Sequence, residues 1–72
     1  MKCKIKLVWD DEAQVWYTQT NDIPGLALSA STYDELVSIV RDVTPELLEE
    51  NKGYVGIIYL DFEALRIEKV SA

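Results

Sequence analysis

The carboxylates and lysines carry what chemistry this chain has. Asp10, Asp11 and Glu12 stand in a row, and Asp34, Glu35, Asp42, Glu46, Glu49 and Glu50 are spread over a helical stretch. Lys2, Lys4 and Lys6 alternate at the start of the chain. Converging carboxylates could hold divalent metal ions for phosphodiester hydrolysis, with one acid projecting from the middle of a strand. The corresponding positions in the first strand are apolar or Lys, and Asp10, Asp11 and Glu12 fall in a turn, so the expected role is a solvated loop with no metal. The sequence has no His and a single Cys, Cys3, which removes Ser-His-Asp and Cys-His catalysis and Cys/His zinc sites. Cys3 lies on the apolar face of the first strand and reads as a small core residue. No cofactor is implied, and the expectation is a protein that is not an enzyme.

Charge narrows the partners. Thirteen acidic against seven basic side chains leave a net charge of −6, which repels polyanions. The Lys2, Lys4, Lys6 row beside Tyr17 resembles a track for single-stranded nucleic acid, and that is the rival reading. Its simpler explanation is the solvent face of an antiparallel strand. The carboxylates of the helix, taken at Asp34, Glu35, Asp42 and Glu46, form an acidic face suited to a basic partner protein.

These groups need elements to position them. Seventy-two residues suffice for one small domain, 1–72. Residues 2 to 9 alternate, with Cys3, Ile5, Leu7 and Trp9 on one face, which predicts a strand. Asp10–Ala13 is a turn, and Val15–Thr20 a second strand, giving a hairpin. Pairing Trp9 with Gln14 would set Leu7 against Trp16 and Ile5 against Thr18, with Trp16 in the core. Asn21-Asp22-Ile23-Pro24-Gly25 is a turn, because Pro fixes φ and Gly permits φ > 0. Leu26–Ala30 reads as a short third strand.

Ser31 or Thr32 then opens a helix at capping-box spacing from Asp34 or Glu35. Leu36, Ile39, Val40, Val43 and Leu47 form its apolar stripe. Pro45 predicts a kink or a restart with Thr44 as N-cap. Asn51-Lys52-Gly53 supplies a left-handed stop. Residues 54 to 70 return to strand character, either as a hairpin bent at Asp61–Ala64 or as one strand that runs on to pair with another chain, making a homodimer. The expected fold is α+β: an antiparallel sheet in β-β-β-α-β order with one helix on a face. No signal-peptide run appears, and the longest apolar stretch, Ile57–Leu60, is too short to cross a membrane, so a cytoplasmic protein is expected.

Asn21-Asp22-Ile23-Pro24-Gly25-Leu26, followed by Ser31-Thr32-Tyr33-Asp34-Glu35-Leu36, resembles the signature of HicB-like domains, in which Asp-Leu-Pro-Gly precedes a short strand and Thr-x-Glu-Glu opens the helix. Val8–Trp16 and Pro45–Asn51 are similar to a small uncharacterised bacterial family related to HicB. The resemblance spans roughly residues 4 to 52, about one compact domain. It implies a partial ribonuclease H-like fold without nuclease activity, which binds and neutralises a small basic ribonuclease toxin of the HicA type. The residues after the helix read as strand, so the DNA-binding segment that complete HicB antitoxins commonly add is not expected here. The motif residues Asp22, Pro24 and Gly25 are also explained by turn geometry alone.

Overall fold

The computed structural model describes residues 1–19 and 22–71. Thr20 and Asn21, read above as the end of the second strand and the start of the turn, lie outside the described residues, as does Ala72. The element order is β1 (Lys2–Asp10), β2 (Val15–Gln19), β3 (Ser29–Ala30), α1 (Tyr33–Lys52) and β4 (Tyr59–Leu65). The fold is α+β, with the helix on one face of a four-stranded sheet.

The sheet is mixed, which corrects the antiparallel expectation. Its spatial order is β3-β2-β1-β4 and departs from chain order, because β4 returns beside β1 instead of extending from β3. β1 pairs antiparallel with β2 and parallel with β4, from Lys2↔Tyr59 to Val8↔Leu65. A parallel neighbour needs a long crossover, and the 20-residue helix supplies it. β4 is one strand, and Asp61–Ala64, the proposed bend, lies inside it.

The hairpin register also differs. Trp9 faces Trp16, Leu7 faces Thr18 and Asp10 faces Val15. Gln14 leaves the ladder and takes a left-handed φ of 58°, its N–H donating to the Asp10 carbonyl at 2.8 Å. The slip is two residues, so no side chain changes face. Trp16 therefore stays in the core, packed against Trp9 at 5.5 Å with the rings tilted by 56° and edge-on to Tyr33 at 5.3 Å. The third strand is shorter than expected. Thr18 accepts the Leu28 N–H on its side-chain oxygen at 3.0 Å, so the regular ladder begins only at Ser29.

The strand alternation has a direct result in burial. Cys3, Ile5 and Leu7 point under the helix with Trp16, Ile23, Leu26 and Ala30, facing Leu36, Val40 and Leu48. Thr32 is the N-cap and accepts the Glu35 N–H at 3.1 Å, while Gly53 ends the helix at φ 64° and donates to the Glu49 carbonyl. The helix does not restart at Pro45. It runs unbroken, and Pro45 and Arg41 are both exposed, where water can take up the Arg41 carbonyl that Pro45 leaves without a donor. Thr44 is not a cap. It is fully buried at the centre of the stripe, and its hydroxyl donates to the Val40 carbonyl at 2.6 Å.

Candidate functional site

At about 100° per residue, Leu36, Val40, Thr44 and Leu48 trace one side of α1. Glu35, Asp42, Glu46 and Glu49 fall together on the opposite side, with Glu50 at their shoulder. Asp34 lies about 100° away from Glu35 and stands apart from this group. The structure thus brings three of the four candidate residues, Glu35, Asp42 and Glu46, onto one face. Glu35 is also engaged locally, since the Ser31 hydroxyl donates to its carboxylate at 3.3 Å. Among the described residues, none of the carboxylates on this face pairs with a Lys or Arg.

Beside the acidic face runs a groove of about 340 Å³, lined by Gly25, Leu26, Leu28, Val43, Glu46, Leu47 and Glu50. Its floor is apolar and belongs half to α1 and half to the segment after the Pro-Gly turn. Its rim is Glu46 and Glu50, one helical turn apart. The sequence pattern contained the rim as an i, i+4 acidic pair, but the floor depends on the 25–28 segment lying against the helix. No periodicity within either segment signals that approach.

The turn residues are accounted for by this packing. Ile23 accepts the Leu26 N–H at 3.2 Å, Pro24 and Gly25 occupy the two central positions, and Gly25 has φ 82°. A positive φ at the third position of such a turn requires Gly or Asn. The flanking Ile23 and Leu26 are both buried, so the turn plugs the core below the groove. Asp22 accepts the backbone N–H of Lys4 at 2.7 Å. Among the described residues the β1–β2 ladder runs to Lys6↔Gln19, and the carboxylate is an acceptor further along the same edge of β1.

The remaining carboxylates and lysines separate as follows. Asp10 accepts the N–H groups of Glu12 and Ala13, each at 3.1 Å, and Asp11 accepts the indole N–H of Trp9 at 3.1 Å, so both acids build the hairpin loop. Among the described residues no group of three or more His, Cys, Asp or Glu is placed to hold a metal ion. Lys2, Lys4 and Lys6 lie on the open sheet face, but β4 sets Asp61 opposite Lys4 and Glu63 opposite Lys6. Lys2 also approaches Asp61 at 3.9 Å. Sequence reading missed this, because parallel pairing with β4 was not foreseen. Among the described residues, no helix is long and apolar enough to cross a membrane.

No curated protein matches the chain. A solved structure does: the hypothetical protein TTHA1013 from the extremely thermophilic bacterium Thermus thermophilus is 38% identical, with a TM-score of 0.82 over 97% of this chain and 100% of that one. The family model of a domain of unknown function, DUF1902, matches residues 2–70, and the chain belongs to that family.

Proposed function

We propose that this chain is a non-enzymatic, cytoplasmic protein-binding module that acts in the manner of a HicB-like antitoxin, taking up a small basic protein such as a HicA-type ribonuclease toxin. The observation that carries this reading is the groove floored by Leu26, Leu28, Val43 and Leu47 and rimmed by Glu46 and Glu50, continuous with Asp42 and Glu35. An apolar side chain of the partner fills the floor, and flanking Lys or Arg residues meet the rim. Buried apolar contact supplies affinity, while charge complementarity selects a basic partner and speeds encounter. A protein that handles RNA must itself be basic, so its surface matches this one.

Nucleic acid on the Lys row is the rival, and the interleaved Asp61 and Glu63 weigh against it, since they cancel much of the field a phosphate chain would meet. The two readings separate in one experiment. The tagged chain is used to capture partners from its native cytoplasm at moderate salt, beside the variants Glu46→Lys/Glu50→Lys and Lys4→Glu/Lys6→Glu. The expected result is one small basic protein in near-equal amount. The glutamate reversals should lose it, by about tenfold in affinity (~1.4 kcal/mol) or more for each charge, and the lysine reversals should keep it. Capture of nucleic acid that disappears with the lysine reversals overturns the proposal, as does retention of the basic protein by the glutamate reversals.

A further inference from the structure

β4 is an edge strand, with β1 on one side and no neighbour on the other among the described residues. Among the described residues the exposed large apolar side chains gather around it: Val55, Ile57, Tyr59, Leu65, Ile67 and Val70 are six of the eight, with Ile67 at 74% and Val70 at 89% exposure. A long, apolar open edge is a template for pairing with another chain. Beyond Leu65 the backbone leaves the body without regular structure. The described residues extend 51 × 17 × 17 Å, and their radius of gyration is 13.5 Å. A compact chain of this length would have about 11 Å. The tail is thus an extended segment with apolar side chains and nothing of its own chain to bury them against.

We propose that its occupant is a second copy of the same chain, with residues 62–70 of the two copies pairing antiparallel about a two-fold axis at Arg66 and joining the two sheets into one. The choice of copy and register comes from the sequence of the strand itself. An axis at Phe62 would set Asp61 against Glu63 of the second copy, two like charges directly opposed. An axis at Arg66 sets Leu65 against Ile67, Phe62 against Val70 and Glu63 against Lys69 of the second copy, two apolar pairs and one opposite-charge pair on each side. It also brings the two Arg66 residues together. Each is already neutralised by Glu68 at 2.9 Å and held over the Trp9 ring at 4.4 Å, and Glu68 of the second copy becomes its diagonal neighbour. The stacking orients the tail: Arg66 follows Leu65, the partner of Val8, so its side chain meets Trp9, the next residue of β1. The tail therefore leaves the body already aligned as a continuation of β4. Pairing is isologous and closes at two copies, because the open edge of β4 is used up in it. This surface is separate from α1 and its groove, so it stands or falls independently of the protein captured there.

The test is the mass of the full chain by light scattering during gel filtration, over a range of concentrations, for the native chain and for Glu63→Lys, Lys69→Glu and the double reversal. Glu63 and Lys69 are both exposed, and circular dichroism checks that each variant is folded. The expected result is twice the 8.2 kDa chain mass for the native chain, the single-chain mass for either reversal alone, and recovery of the doubled mass in the double variant. A native chain that stays at 8.2 kDa overturns the proposal. So does a dimer indifferent to both single reversals, or a double variant that fails to recover.

Discussion

Replacing Pro45 with Ala should make this protein more stable. Pro inside a helix costs about 3 kcal/mol relative to Ala, through the lost N–H bond and the ring's clash with the carbonyl four residues before. Here that carbonyl is Arg41's, and both residues are exposed, so the substitution removes no buried contact. Against the gain stands the freedom Ala returns to the unfolded chain, about 0.4–1 kcal/mol. The net stabilisation is about 2 kcal/mol. For a domain of this size, 1 kcal/mol moves the melting temperature by roughly 4–8 °C, so Pro45→Ala should melt about 8–16 °C higher. Thermal unfolding followed by circular dichroism measures this, and urea titration should show a higher midpoint with an unchanged slope. Pro45→Gly serves as the internal control, because it restores the same N–H but forfeits about 1 kcal/mol of helix propensity. Its melting point should fall between those of the other two. A melting point for Pro45→Ala equal to or below the native one would refute the reasoning. It would mean that the local geometry set by Pro45 is what seats Thr44 and Leu48 in the core.

Two further substitutions test the turn and the tail. Gly25→Ala should destabilise by about 1–2 kcal/mol, since φ there is 82° and the new Cβ would lie 3.5 Å from Leu47 Cδ2, in ordinary contact. The penalty is then backbone strain, and Gly25→Asn should recover part of it in the same urea titration. Arg66→Ala should cost only about 0.5–1 kcal/mol, the worth of an exposed cation–π contact, but should change the fluorescence of Trp9. An emission spectrum identical to the native one would place the guanidinium elsewhere.

What the sequence displayed well was local. Alternation at Cys3, Ile5 and Leu7, the Thr32 cap, the Pro-Gly turn and the Gly53 stop each follow from a few neighbouring residues, and each is found. What it did not display was pairing between distant segments. Nothing in Tyr59–Leu65 reveals that it runs parallel to β1, because a strand carries the same alternation whichever direction its neighbour takes. From that single omission came two others: the antiparallel sheet and an uncancelled Lys row. Pro45 misled for a different reason. Its cost depends on whether the orphaned carbonyl is wet or buried, and that is a property of the helix's seat on the sheet. The candidate acids were visible as a charged face, yet the groove that gives Glu46 and Glu50 a setting exists only once residues 25–28 fold against Val43 and Leu47.

The parallel pairing of the first strand with the last also sets the order in which the molecule can be made. During synthesis the β1–β2 hairpin can close as soon as it emerges, since its contacts are near in sequence. The other side of β1 waits for residues 59–65, so for most of the chain's elongation the central strand has one flank open. Through that interval Ile5 and Leu7 have a hairpin but no complete roof, and the nascent protein is vulnerable to aggregation and to proteases. A chain cut short before Tyr59 would leave that flank open permanently. β4 is therefore a completion signal, whose arrival converts a half-sheltered hairpin into a sheet with β1 paired on both sides.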